Sequence, residues 1–234
     1  MKTISIFIYY LLFPCWVLAQ SLPIEMQITS DGRLVRGGNA TSGLYQTDIV
    51  NKFEIILDDP DWFNLMDGTY VSGNYGEILI GKLIFNDTLV LDSVLVGIKG
   101  YTSDVNNLSE KKSFKIEIDK FLDQDLLGYD NLNLNSAFED PSYMREVLYY
   151  DISKNFAPAL KGCFVDLYIN GQYWGPYSNI QQLEGKYIKE WFLDNKGTRW
   201  RAASLILPYA IGTGVSSLNY NGSDSSDYHT RYTL

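Results

Sequence analysis

The stretch CFVDLYINGQYWGPYSNI, residues 163–180, contains two strand-like runs separated by Asn170-Gly171. Asn and Gly adopt positive φ more readily than other residues, and the two-residue turn of a β-hairpin requires such φ angles. We therefore predict antiparallel strands over residues 163–169 and 172–180. This is the strongest short hairpin signal in the chain, and it indicates a fold that contains antiparallel sheet.

A second hairpin is predicted upstream, where the β-rich runs 76–85 and 88–98 flank Asn86-Asp87. A strand over residues 52–57 precedes it, and a Pro near the start of an apolar run favours a helix beginning at residues 59–61. Residues 101–110 are polar and are predicted to form a loop.

Residues 112–118 alternate between apolar and polar side chains, which predicts a strand with one apolar face. Phe114, Ile116 and Ile118 share that face. By the same parity, Lys112 starts the strand on the apolar side.

A helix is predicted from Asp140-Pro141 to about residue 156, because this pair is suited to a helix start. Its apolar residues recur on one stripe: Met144, Val147, Leu148, Ile152 and Phe156. At 100° per residue, Asp151 falls inside that stripe and Glu146 on the opposite side. A second helix is predicted over residues 184–194 and a strand over 198–207, so the fold class is α+β with helices packed on an antiparallel sheet.

The N-terminus reads as a secretory signal over residues 1–19, with Lys2, a short apolar run and a small-residue cleavage site after Ala19. We expect an exported protein, with an irregular leader over residues 20–50 and one domain over residues 51–234. Only Cys163 remains after cleavage, so no intramolecular disulfide can form. The net charge of −9 argues against nucleic acid as a partner, and no second segment is long enough to span a membrane.

Several enzyme classes are excluded by residue counts, because the chain has one histidine, His229, and one cysteine beyond the signal. Too few ligands exist for a His- or Cys-rich zinc site, and a Ser-His-Asp or Cys-His site would need the terminal histidine. A glycoside hydrolase with paired carboxylates stays possible, since acidic residues are plentiful.

The order of parts is that of the smaller lobe of a protein kinase: a hairpin, a glycine turn, a strand lysine, and a helix acid. A lysine can bridge nucleotide phosphates when a carboxylate holds it in place. Asp151 lies on the apolar side of the predicted helix and can therefore face Lys112. Glu146 has the residue type that pairs with the strand lysine in protein kinases, but it lies on the opposite side of the helix. The alternative is structural: Lys112 extends from the strand end toward solvent, and Asp151 marks a polar gap in the stripe.

Five segments in order resemble the spore-coat protein H (CotH) family of kinase-like proteins. They are VGIKGYTS at 96–103, KKSF at 111–114, LNLN at 132–135, DPS with Arg145-Glu146 at 140–146, and YINGQYWGPY at 168–177.

The resemblance implies an atypical protein-kinase-like fold, represented here by the smaller lobe and the start of the larger one. It implies use of ATP and Mg²⁺ to phosphorylate Ser or Thr of surface proteins. Carried onto this chain, Gly100, Thr102 and Ser103 would cover phosphate, and Lys112 would contact it, with Lys111 as the alternative.

Two departures from the family pattern bear on activity. Gln181 stands where many members have Glu, and the family's Trp-Asp-x-Asp-like metal segment does not occur before Leu234. We therefore assign no metal ligand within this chain, expect the catalytic residues beyond Leu234, and predict that this chain alone is inactive. The rival hypothesis is a non-catalytic surface module, adhesive or structural, that uses aromatic residues such as Tyr173 and Trp174.

Overall fold

The computed structural model describes residues 26–28, 34–36, 43–71, 78–100 and 110–192, together with short pieces of the remainder at 196, 199, 201–202, 222–224, 226 and 232–233. The chain divides into two compact units, Met1–Leu193 and Asp194–Leu234. The predicted signal and most of the predicted leader lie outside the described residues.

A closed seven-stranded barrel forms the centre of the first unit, with strand order β3-β4-β5-β6-β7-β9-β8. Its strands are β3 (Val50–Leu57), β4 (Leu79–Phe85), β5 (Leu89–Lys99), β6 (Ser113–Glu117), β7 (Asn131–Asn135), β8 (Gly162–Ile169) and β9 (Gln172–Gln181). The described helices are α1 (Trp62–Val71), α2 (Arg145–Ser153) and α3 (Gly185–Trp191). A separate two-stranded sheet pairs β1 (Met26–Ile28) with β2 (Leu34–Arg36).

The α+β class is confirmed, but the sheet is not the purely antiparallel one that the sequence predicts. Strand β3 pairs in parallel with β8, and this pairing closes the barrel. All the other barrel pairs are antiparallel. Closure removes the exposed strand edges that an open sheet would leave.

Both predicted hairpins are confirmed, with turns at the expected residues. Asn86 and Asp87 have φ of 49° and 58° between β4 and β5, and Asn170 and Gly171 have φ of 49° and 79° between β8 and β9. Two successive residues with positive φ match the turn that suits the twist of a hairpin.

The core lies inside the barrel and follows from the two-residue period of the strands. Phe114 and Ile116 of β6, Leu132 and Leu134 of β7, and Val165 of β8 are at most 1% exposed. Burying a side chain of this size stabilises the fold by about 1.5–3 kcal/mol. The polar residues of the same strands consequently lie on the outer surface of the barrel.

Helix α1 packs onto the core through Trp62 and Met66, which are 8% and 0% exposed. Trp174 of β9 lies edge-on to Trp62 at 5.3 Å between ring centroids and stacks on Phe63 at 5.9 Å. The predicted role of Trp174 as an exposed contact residue is therefore not supported, because its ring belongs to this aromatic cluster. Tyr173 is 51% exposed.

The apolar stripe predicted for the helix over residues 140–156 does not face the core. Val147 is the one residue of helix α2 whose side chain is fully buried. The other stripe residues are exposed to 45%, 42%, 60% and 85%: Met144, Leu148, Ile152 and Phe156. The helical period was predicted correctly, but most of the stripe points away from the barrel.

Helix α3 is held to the barrel by polar contacts. Trp191 donates to the carbonyl of Ala159 at 2.8 Å, and the Glu190 carboxylate lies 3.2 Å from the Lys161 ammonium. Gln181 of β9, which the sequence marked as a departure from the family, is buried and donates to Glu190 at 2.6 Å. Gln181 therefore has a structural role at this junction.

In the second unit, β10 (Arg201–Ala202) pairs antiparallel with β11 (Tyr232–Thr233). The predicted strand over 198–207 falls mostly outside the described residues, as does His229.

Candidate functional site

A row of polar residues crosses four strands on the outer surface of the barrel. Lys99 of β5 pairs with Ser113 of β6, and Asn135 of β7 pairs with Ser178 of β9. Because Phe114 pairs with Leu134, Ser113 and Asn135 are neighbours as well. Lys99, Ser113 and Asn135 are end residues of their strands, whereas Ser178 lies within β9.

An open cleft of about 660 Å³ lies over this row. Its walls are the row, Gly100, the segment 137–140 and one side of helix α2, which contributes Arg145, Glu146, Tyr149 and Tyr150. The volume lies within the range of about 300–1,000 Å³ that is usual for small-molecule sites.

Lys99 is the strand lysine that faces the cleft. Its ammonium donates to the side-chain carbonyl of Asn135 at 2.8 Å and to that of Asn133 at 3.1 Å. Burial lowers the pKa of Lys99 to about 8, while the negative charge of Glu146 acts in the opposite direction and Lys115 adds to the lowering. Lys99 is thus a cation held at a protein surface that partly excludes water.

Glu146 is the helix acid that faces the same cleft. The amide nitrogen of Asn135 donates to both carboxylate oxygens of Glu146, at 2.9 and 2.8 Å. Among the ion pairs of the described residues, none joins Lys99 directly to Glu146. The strand lysine and the helix acid are therefore connected through the side chain of Asn135.

The start of α2 is fixed by Asp140, five residues before the helix. One carboxylate oxygen of Asp140 accepts the backbone N–H of Arg145 at 2.9 Å, and the other accepts the N–H of Ser142 at 3.0 Å. The Ser142 hydroxyl also donates to Asp140 and is the main cause that lowers the Asp140 pKa, while the two backbone hydrogen bonds and the charge of Arg145 act in the same direction. The predicted helix start at Asp140 is thus five residues early as a boundary, although this residue does accept a hydrogen bond from an N–H of the first turn.

Helix α2 approaches the barrel closely at Gly162 of strand β8. A β-carbon placed at Gly162 would lie 3.5 Å from Cα of Val147 and 2.9 Å from Cδ1 of Ile180. The glycine therefore lets the helix backbone approach strand β8, and Val147 places the neighbouring Glu146 over the polar row.

Of the three predicted phosphate-covering residues, Gly100 lines the cleft directly beside Lys99 and has a φ of 90°. This φ is one that residues with a side chain rarely adopt. Thr102 and Ser103 lie outside the described residues, and their predicted role stays a prediction.

The predicted pairing of Lys112 with Asp151 is wrong, as is its alternative with Glu146. Lys112 is 6% exposed, and its ammonium lies 3.2 Å from Asp67 of α1. Asp151 pairs instead with Lys154 on its own helix, at 2.6 Å. The physical reason is that Lys112 is on the inner side of the strand, as its parity indicates, whereas α2 packs on the outer side of the barrel.

Lys111, the other predicted candidate, binds elements next to the cleft. Its ammonium donates to the carbonyl of Pro176 at 2.7 Å and lies over the ring of Tyr143 at 3.9 Å and that of Tyr177 at 4.9 Å. Burial lowers the pKa of Lys111 to about 8. These contacts connect the segment before α2 to strand β9.

Lys99 was not predicted as a site residue, although the segment VGIKGYTS at 96–103 contains it. The available signal was strand parity: Val94, Val96 and Ile98 share one side of the strand, so Lys99 ends the other side, directly before Gly100. The LNLN segment carries the same signal, because its asparagines alternate with the buried Leu132 and Leu134.

The part of the chain that the structure describes contains no group of three or more His, Cys, Asp or Glu side chains arranged to hold a metal ion. Within the same residues, no helix is long and apolar enough to cross a membrane.

A comparison with protein families shows which domain contains this cleft. The family model described as "CotH kinase protein" matches residues 96–232, more than half of the chain. This chain belongs to the CotH kinase family. The matched range begins at the end of β5 and includes Lys99, Gly100, Asn135 and Glu146, so the CotH domain contains the whole polar row of the cleft. A search of curated proteins finds no match to the chain.

Proposed function

We propose that this chain is the nucleotide-binding part of an exported CotH-type protein kinase, and that its outer cleft holds the phosphates of ATP. The observation that carries the proposal is the placement of Lys99 beside Gly100, opposite Glu146 of helix α2. Lys99 takes the role that the sequence analysis assigned to Lys112.

The chemistry of the cleft suits an anion. An ammonium has three N–H donors, and Lys99 gives one to Asn133 and one to Asn135, which are both uncharged. Within the described part of the chain, no carboxylate pairs directly with Lys99 and cancels its positive charge. Arg145 adds a second cation to the wall, and Gly100 allows close approach of a ligand to the backbone.

The shape of the cleft suits a nucleotide as well. Tyr149 and Tyr150 lie on its helix wall, and their rings meet edge to face at 5.4 Å between centroids. Such rings offer apolar surface to a flat base, while the row on the barrel offers polar groups to phosphate and ribose.

The proposed reaction of the family domain is transfer of the γ-phosphoryl group to a Ser or Thr hydroxyl of a surface protein. Magnesium would neutralise phosphate charge in that reaction. The described residues do not form a metal site, so we assign to them binding and orientation of the nucleotide and derive no transfer step. The kinase-lobe arrangement of the fold and the export of the chain are parts of the same proposal, and the CotH match and the signal-like N-terminus support them.

The test compares the secreted chain with K99M and with K82M as a matched control, since Lys82 is an exposed lysine of a neighbouring strand. Titration calorimetry with ATP, with and without magnesium, should give measurable binding that K99M weakens about tenfold or more and K82M leaves unchanged. Labelled γ-phosphate transfer to a Ser-rich protein tests the catalytic part of the proposal and needs a protein that carries the family's metal segment. No nucleotide binding by the unsubstituted chain would overturn the proposal.

A second function is favoured by the exposed side of α2. Leu148 and Ile152 of α2 are unusually exposed for apolar residues, as are Met144 just before the helix and Phe156 just after it. A non-catalytic surface module that binds another protein through this side would keep its partner binding in K99M. It would lose that binding when Leu148 and Ile152 are both replaced by Ser.

A further inference from the structure

Asn135 stands between two opposite charges and contacts both of them. Its side-chain oxygen accepts from Lys99 at 2.8 Å, and its side-chain nitrogen donates to both oxygens of Glu146 at 2.9 and 2.8 Å. It is the last residue of β7, on the outer surface of the barrel, where strand and helix approach each other.

The orientation of this amide is determined by its neighbours. A lysine ammonium can only donate hydrogen bonds, and an ionised carboxylate can only accept them. The oxygen of Asn135 must therefore face Lys99 and its nitrogen must face Glu146, because a flipped amide would lose every one of these bonds.

Asn133 has the same polarity on the same side of β7. Its oxygen accepts from Lys99 at 3.1 Å, and its nitrogen donates to Gln182 at 2.7 Å and to the carbonyl of Ile180 at 3.2 Å. Lys99 is thus directed by two amide oxygens, but only that of Asn135 is connected to a charged group on helix α2.

This arrangement differs in its consequence from a direct ion pair. A carboxylate in contact with Lys99 would cancel most of its charge locally, whereas an amide carbonyl orients the ammonium and leaves its net charge for a ligand. The carboxylate of Glu146 orients the amide, and the amide orients Lys99.

We propose that Asn135 is a positioning residue that couples Glu146 of α2 to Lys99 and fixes the direction in which Lys99 meets an anionic ligand in the cleft. The ligand named here, a nucleotide phosphate, rests on the proposed function, whereas the coupling itself does not.

The first readout is the pKa of Lys99 in the protein without nucleotide, from the pH dependence of its acylation by acetic anhydride, followed by mass spectrometry of the peptide that contains it. The Leu side chain of N135L has the branching and number of heavy atoms of Asn but no polar group, so it should lower the Lys99 pKa by about one pH unit relative to the unsubstituted chain. N135D places a carboxylate against the ammonium and should raise it.

Asn131 provides the matched control. It lies on the same strand and side, and it donates to Glu184 rather than contacting Lys99. N131L should leave the Lys99 pKa unchanged. Circular dichroism checks that each variant folds. Should N135L not fold, the rise of the Lys99 pKa expected in N135D, against no change in N131L, carries the test.

The second readout is ATP affinity by calorimetry, which should fall about tenfold in N135L and not in N131L. An unchanged Lys99 pKa in both N135L and N135D would overturn the coupling. If the pKa values move as expected and the unsubstituted chain binds no ATP, the proposed function fails and the positioning role of Asn135 stands.

Discussion

The ammonium of Lys112 lies 3.2 Å from a carboxylate oxygen of Asp67, with only 7% of the Lys112 side chain exposed against 30% of that of Asp67. That oxygen has no hydrogen-bond partner among the described residues, so the contact is an ion pair without hydrogen-bond geometry. It joins the start of β6 to α1, on the inner side of the strand.

The first prediction concerns the unequal burial of the two charges in this ion pair. D67N removes a carboxylate that lies next to the more deeply buried charge and should lower the free energy of unfolding by about 1–3 kcal/mol. K112M keeps the aliphatic stem, removes the buried charge, and should cost less. Urea denaturation measures both, with D58N as a control at an exposed acid.

The same variants separate the two assignments of the phosphate lysine. ATP affinity should be unchanged in K112M and reduced in K99M. The reverse result would restore the assignment made from the sequence alone and reject the one made from the cleft.

A second prediction follows from Asn170, whose side chain pairs with both main-chain groups of Leu57. The N–H of Leu57 donates to its oxygen at 2.8 Å, and its nitrogen donates to the Leu57 carbonyl at 3.0 Å. N170G keeps the positive φ and removes both bonds, so it should destabilise the chain by about 1–2 kcal/mol in thermal or urea unfolding.

D87G is the control for Asn170, because Asp87 also has a positive φ in a hairpin turn but contributes only a surface ion pair with Lys52. Equal stability of N170G and the unsubstituted chain would show that the hydrogen bonds between the β8–β9 turn and β3 contribute nothing to the free energy of unfolding.

A third prediction concerns stability between pH 8 and 9.5. Burial lowers the pKa of Lys99 and Lys111 from 10.5 to about 8, so in this window the folded chain has lost protons that the unfolded chain still holds. The free energy of unfolding should therefore rise with pH, by at most about 1.4 kcal/mol per pH unit for each lysine.

Urea denaturation at several pH values measures this slope. K99M should remove one of the two contributions, and K82M should remove none because Lys82 is exposed. A slope that is flat in the unsubstituted chain, or the same in K99M, would contradict the assignment of Lys99 as a partly buried cation.

A fourth prediction uses Cys163, which is fully buried in the barrel and whose pKa burial raises to about 12. Because the thiolate is the reactive form, Cys163 in residues 20–234 should not react with Ellman's reagent in the folded state and should react fully in urea. Rapid reaction under native conditions would show that the barrel opens between β8 and its neighbours.

The strands of both hairpins, together with β3 and β6, could be predicted because their signals are local, whereas β1, β2 and β7 were not predicted. Alternation defines one apolar face, and Asn-Asp or Asn-Gly defines the turn, so neither needs knowledge of the rest of the chain. Closure of the barrel could not be predicted this way. The parallel pairing of β3 with β8 joins residues more than a hundred positions apart, and nothing in either strand identifies the other as its partner.

The residue types of the candidate site and Gly100 itself were predicted, but the lysine of the cleft was not. The sequence indicated a strand lysine, a glycine and a helix acid, and the cleft contains Lys99, Gly100 and Glu146. The error arose because periodicity tells which side of a strand is apolar and not on which side a helix packs. Lys112 was placed correctly on the apolar side, and the helix lies on the other.

The final prediction concerns Gly162, where helix α2 approaches strand β8 closely. G162A requires only the flexible tip of Ile180 to move and should change stability by less than about 1 kcal/mol. G162L would occupy the place of Val147, displace α2 from the barrel, and separate Glu146 from Asn135. We expect it to lower the Lys99 pKa and ATP affinity while the barrel stays folded.

G81A is the contrasting control, because a β-carbon at Gly81 would lie 2.6 Å from the backbone oxygen of Ile56, which cannot move without disturbing β3. It should lower the unfolding temperature of the whole barrel, and its effect on Lys99 should appear only as unfolding begins. If G162L leaves the pKa of Lys99 unchanged, helix α2 has no part in orienting the cleft lysine, and Glu146 must be removed from the site.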